Sequence, residues 1–181
     1  MLIHSVYCIS GSRGRADSIL VDLRDDGIRT DDISVLFLDP DHAPNAAPGD
    51  AIAPVPPSAG PIRGVVAMLG GAERVDIPHS GPMILSGALL ATAREQGATS
   101  LGELLFRFAV PRDEVVRIAS QIMAGQFFVA VQSSLPGACV RAGEIFAAGR
   151  ASDICTKIAP APSEQPAGSG PLPAAAIIMD R

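Results

Sequence analysis

The sequence predicts a mixed α+β domain: two β-α-β units with a helical segment between them. Three observations point there. Short β-branched and aromatic runs at 2–10, 32–40 and 126–134 read as strands. Stretches with apolar residues three and four apart lie between and around them and read as helices. Gly and Pro punctuate the changes from one pattern to the other. The 181 residues suit one compact domain with additions, large enough to bury roughly two-thirds of its unfolded surface without a staple.

The first run, "LIHSVYCIS", carries Ile3, Val6, Cys8 and Ile9 among polar neighbours, as a strand does. Gly11 and Gly14 mark a turn, with Ser12 placed to cap a helix. Ala16, Ile19, Leu20 and Leu23 then fall at helical spacing, and Gly27 is a natural stop. "DISVLFLDP" is a second strand closed by Pro40. Together these predict a βαβ unit, with two parallel strands joined by a right-handed crossover.

Residues 40–61 are dense in proline and read as a stiff linker. "IRGVVAMLGG" (62–71) is predicted as a short helix. A second helix is predicted from Pro82 to about Arg94, and a third over 99–110 with Thr99 or Ser100 as cap; the last two would form a helical hairpin. Pro111 fixes the start of the clearest helix. Asp113 and Glu114 suit its positive end, Val115, Ile118, Ala119 and Ile122 its apolar stripe, and Gly125 its stop. "QFFVAVQSS" is a buried strand, 136–149 a helix and 152–158 a last strand. The predicted units are therefore 1–39, a first βαβ unit; 40–61, the linker; 62–110, an inserted helical region; 111–158, a helix plus a second βαβ unit; and 159–181, a flexible tail. Two such βαβ units make a ferredoxin-like sandwich, a four-stranded antiparallel sheet with two helices on one face.

Composition narrows the function. A formal charge of −5, with Lys157 the only lysine among 14 basic residues, argues against a nucleic-acid surface. There is no signal peptide pattern and no apolar run long enough to span a bilayer. Cys8, Cys139 and Cys155 are odd in number and lack CxxC spacing, which fits reduced structural thiols in the cytoplasm. His4, His42 and His79 have no zinc-ligand pattern. The acidic residues Asp25, Asp26, Asp31 and Asp32 lack the loop that ends in a bidentate Glu for calcium. The pattern points to no metal and no cofactor.

Two strand–helix junctions are the candidate sites. "SGSRGRADS" places Gly11, Arg13 and Gly14 where backbone N–H groups could hold phosphate. It matches neither phosphate-loop fingerprint, so a turn with solvated arginines is the simpler reading. "DIPHSGPMILSG" sets His79 beside Ser80 and Gly81. A nucleophilic Ser needs a base within hydrogen-bond reach, and adjacent side chains on a turn diverge. A capped turn at a helix start fits better, with small-ligand binding there as the alternative.

The stretches "IPHSGPMILSGALLA" (77–91) and "FAVPRDEVVRIASQIMAGQFFVAVQSS" (108–134) resemble the bacterial general stress and low-temperature-induced proteins. That family pairs a strand–helix–Gly–Asp-Ile-Ser-Val unit, here "VYCISGSRGRADSILVDLRDDGIRTDDISVLFLD", with an Ile-Pro-Gly-x-Gly-Pro signature. His79 stands where the family usually has Gly, and Val110 precedes Pro111 without a Gly. Arg74, Asp76, Arg94 and Glu95 charge a segment that is more glycine-rich in the family. The resemblance covers about residues 3–155 apart from the linker. It implies a soluble, stress-linked protein and transfers no catalytic residue.

Apolar residues on both faces of "SVLFL" and "FFVAV" require both sheet faces to be covered. The hairpin within 83–110 could do this inside one chain, or a second copy could, which predicts a homo-oligomer. The tail ends in "PLPAAAIIMDR", an apolar peptide able to dock on a protein partner. The function expected is a non-enzymatic cytoplasmic protein acting through self-association or partner binding. The alternative is a small-molecule-binding regulatory module using the junctions near Gly11–Gly14 and His79–Gly81.

Overall fold

The computed structural model describes residues 2–39, 52–54, 71–97, 100–108 and 110–160. Among these, seven strands form one antiparallel sheet: β1 (Leu2–Ser10), β2 (Ile33–Leu38), β3 (Ile52–Pro54), β4 (Ala72–Ile77), β5 (Gly81–Ser86), β6 (Phe127–Ser133) and β7 (Ser152–Pro160). Their order across the sheet is β3-β4-β5-β2-β6-β1-β7. The helices are α1 (Arg13–Asp25), α2 (Gly87–Gln96), α3 (Leu101–Arg107), α4 (Arg112–Met123) and α5 (Pro136–Ala148). None is long and apolar enough to cross a membrane.

The mixed helix-and-sheet class matches the sequence prediction, but the layering is richer. The predicted two-layer domain becomes three layers. On one face α1 and α5 pack on β1 and β6, burying Ile19, Leu20, Leu23, Cys139, Ala142 and Phe146 against Val6, Val35, Val129 and Val131. On the other, α2, α3 and α4 bury Leu89, Leu104, Leu105, Ile118 and Ile122 against Tyr7, Leu36, Phe128 and Ala130. Alternating strand residues thus feed two separate cores, which is why "SVLFL" and "FFVAV" are apolar throughout. The second face is covered by the chain's own helices.

β1 and β2 run parallel but do not touch. β6 lies between them, antiparallel to both, with Val129 opposite Cys8 on one side and Val35 on the other. The two parallel strands of the predicted βαβ unit are thus linked through β6 rather than paired with each other. The largest correction concerns 62–110. The helix predicted over 62–71 lies outside the described residues except for Gly71. The helix predicted from Pro82 starts instead at Gly87, because 72–86 is a β-hairpin. "PMILS" is a short apolar run, and periodicity alone does not separate strand from helix in such a run. The hairpin gains a further strand from inside the proline-rich stretch, where Ile52–Pro54 pairs with β4. The insertion thus contributes strands as well as helices. The predicted tail also gives up Ala159 and Pro160 to β7, and residues 161–181 lie outside the described residues.

Gly87 makes the strand-to-helix turn possible. Its φ is +63°, and a Cβ there would lie 2.1 Å from the carbonyl oxygen of Ile33. Only a residue without a side chain lets β5 turn into α2 this close to β2. Two buried serines close the junction. Val35 N–H donates to Ser86 Oγ at 3.1 Å, and Leu89 N–H in the first turn of α2 donates to Ser34 Oγ at 3.4 Å. Ser34 thereby supplies from β2 the acceptor that an N-cap would supply locally. Ser100 caps α3 in the ordinary way, accepting from Glu103 N–H at 3.1 Å.

Candidate functional site

The two junctions singled out by sequence lie at the same end of the sheet but do not converge. β1 ends at Ser10 and the β4–β5 turn follows Ile77, with β6 and β2 lying between β1 and β5. Three strand spacings separate them, about 14 Å. At the first junction Gly11 and Gly14 have open space around them, and Arg13 is exposed. Ser12 occupies the N-cap position without a side-chain cap bond. This is a solvated turn.

His79, Ser80 and Gly81 do not start a helix; they form the tip of the β4–β5 hairpin. Ser80 N–H donates to the Ile77 carbonyl at 3.0 Å, and His79 has φ +63°. Pro78 at the second position and a positive φ at the third define a type II turn, whose third position suits glycine. A glycine would meet this φ without strain, and histidine occupies the left-handed position at some cost.

Sequence reading missed the main polar cluster. It lies where β1, β7 and α4 meet. Tyr7 and Cys155 are cross-strand partners. The Tyr7 hydroxyl donates to Glu114 Oε2 at 2.9 Å, and Arg117 reaches the same carboxylate oxygen at 3.1 Å. Arg117 also pairs with Asp153, and Gln121 Nε2 donates to Asp153 Oδ2 at 2.8 Å. Burial, the Cys155 thiol and the Glu114 carboxylate together hold the Tyr7 hydroxyl far above its ordinary titration range. Burial raises the Asp153 carboxyl, but bonds from Gln121 and Arg117 outweigh it and hold the group below the usual range. Asp153 has φ +54° and sits where β7 bulges against β1. The bulge turns its carboxylate toward α4. The cluster is a clamp that ties an amphipathic helix to the end strand of the sheet. A neutral tyrosine and two paired carboxylates offer no activated nucleophile or base. Burial likewise pushes the Cys8 and Cys139 thiols up, which keeps both protonated at neutral pH. Glu114, Arg117 and Gln121 fall at i, i+3 and i+7, so their shared stripe was legible. Their partner strand was not.

Two surface features stand out among the described residues. The first is a stripe on the outer face of α3 and α4. Phe106, Val116 and Met123 are 46%, 75% and 42% exposed, and Arg112 lies 4.8 Å over the Phe106 ring. Arg112, Val116 and Met123 repeat at helical spacing, so the stripe runs the length of α4. The second is an open cleft of about 310 Å³ at the opposite end of the sheet from His79. Ile28, Leu135 and Ala138 form its apolar part; Arg29, Asp32 and Ser133 border it. Leu135, in its lining, is 66% exposed. The Gly11–Gly14 and His79–Gly81 residues do not line it. Among the described residues no group of three or more His, Cys, Asp or Glu side chains could hold a metal ion.

No protein family, curated protein or solved structure matches the chain.

Proposed function

We propose that this chain is a non-catalytic protein that works by self-association through the outer face of α4. The single observation that carries the reading is the Phe106–Arg112–Val116–Met123 stripe. Three of the large apolar side chains left in water share one helix layer, and an amphipathic helix with an apolar outer stripe suits an isologous contact with its own copy. This moves the association surface from the whole 83–110 segment to α3 and α4. The sheet edge is a poorer surface. β7 pairs on one side only among the described residues, but its bulge, Lys157 and Pro160 all blunt an edge against pairing.

The β7-β1-β6-β2 order, with α1 and α5 on one face, supports a ferredoxin-like core carrying an inserted hairpin and helices. The resemblance to general stress and low-temperature-induced proteins supports a role in stress. Its free cysteines support a reducing, cytoplasmic location.

Multi-angle light scattering on the full chain tests the reading. The expected mass is a multiple of 18.6 kDa, returning to 18.6 kDa in the Val116→Asp/Met123→Asp variant. Both positions are substantially exposed, so the fold is retained, which circular dichroism checks. A wild-type monomer at every concentration would refute self-association.

A further inference from the structure

We propose that Met123 is an oxidation site, at which a peroxide converts the thioether to the sulfoxide and weakens association through the outer face of α4. The consequence for association rests on the contact proposed above; the selectivity of the oxidation does not.

Exposure selects the residue. Of the five methionines, Met83 and Met123 lie among the described residues. Met83 is wholly buried in the core between the sheet and its covering helices. Met123 is 42% exposed at the last position of α4. Thiolates are the usual competing target, but Cys8 and Cys139 are buried, and Cys155 is half-buried opposite Tyr7.

The reaction is a two-electron oxygen transfer. The sulfur lone pair attacks one peroxide oxygen, the O–O bond breaks and an S–O bond forms. The second oxygen leaves as water, carrying the proton of the first. Sulfur is oxidised and the peroxide reduced.

The surroundings decide the effect. Oxidation turns an apolar side chain into a polar one with a strong acceptor oxygen. The backbone donors of its own turn are taken. The N–H groups of Ala124, Gly125 and Gln126 donate to the carbonyls of Ser120, Ile122 and Gln121 at 3.0, 2.9 and 3.1 Å. The Ser120 hydroxyl, exposed one turn earlier, donates to the Val116 carbonyl at 2.8 Å. The free backbone groups at a helix C-terminus are carbonyls, which repel a second acceptor. In water the sulfoxide oxygen is hydrated, so the single folded chain tolerates it. Against a second copy it loses that water and gains no donor from its own turn. One unmet acceptor weakens association by about tenfold to a hundredfold.

The test treats full-length protein with hydrogen peroxide, then with dithiothreitol to restore reversibly oxidised thiols. Peptide mass spectrometry reads each methionine, and light scattering across a dilution series reads the dissociation constant. Met123 is expected to oxidise well before Met83. The dissociation constant is expected to rise tenfold or more with far-UV circular dichroism unchanged, and to recover after methionine sulfoxide reductases that act on both epimers. The rise is expected to track sulfoxide at Met123 and not at Met1, Met68 or Met179. Met123→Leu, compared with its own untreated sample, is expected to be insensitive to peroxide. Equal oxidation of Met83 and Met123 overturns the selectivity. An unchanged dissociation constant in a chain fully oxidised at Met123 overturns the regulation alone, as does weakening that follows another methionine. An untreated chain that is monomeric at every concentration overturns the association itself, and the regulation with it.

Discussion

Replacing Gly87 with alanine tests the three-layer arrangement at its tightest point. The new Cβ would sit 2.1 Å from Ile33 O and 2.8 Å from Ser34 Oγ. Real Cβ contacts essentially never fall below 3.0 Å. The backbone of β2 and the start of α2 must therefore separate by about an ångström, in a place where Ser34 and Ser86 hold them together. Two costs add. The left-handed backbone costs a non-glycine residue about 1–2 kcal/mol, and forcing atoms into a packed site costs about 1–3 kcal/mol. The expected loss is about 2–5 kcal/mol. Gly125→Ala separates the two. Gly125 has φ +88° and open space where its Cβ would go, so it carries the backbone cost alone, about 1–2 kcal/mol. Urea unfolding followed by far-UV circular dichroism gives both values. If the two variants lose the same stability, the close approach of α2 to β2 is wrong, and with it the route by which the second sheet face is covered.

Two further outcomes follow from the same geometry. His79→Gly is expected to stabilise the chain by about 0.5–1 kcal/mol, since relief of the left-handed strain exceeds the added flexibility of the unfolded chain; a destabilised variant would mean that the imidazole makes a contact worth keeping. Asp153 titrates below the ordinary carboxyl range in the folded chain. The unfolded state therefore takes up the proton first as pH falls. The stability contributed by the clamp is full above about pH 4 and is lost as pH drops toward the folded value. Asp153→Asn is expected to lower stability at neutral pH and to flatten this acid limb in urea titrations at stepped pH; an unchanged limb would remove Asp153 from the clamp.

His79 shows what each level contributes. The sequence set it next to a serine, at a predicted helix start. In the fold it is the third residue of a type II turn between two strands. The glycine preference is a matter of φ, and the neighbouring serine N–H closes the turn.

By itself the sequence determined the elements whose patterns are long or well punctuated. β1, α1, β2, α4, β6, α5 and β7 all lie close to where periodicity, Pro111, Gly27 and Gly125 put them. It also determined that both sheet faces must be buried, because "FFVAV" and "SVLFL" leave no polar face for water. Only the tertiary structure decided what covers them, and that 81–86 is strand rather than helix. A run such as "PMILS" satisfies either period, so its conformation is set by which neighbour supplies its hydrogen bonds. β4 and β2 supply them. The Tyr7–Glu114–Arg117–Asp153 clamp and the cleft beside Leu135 are likewise tertiary. Each joins residues about 100 positions apart, and no local pattern encodes a distance across a fold.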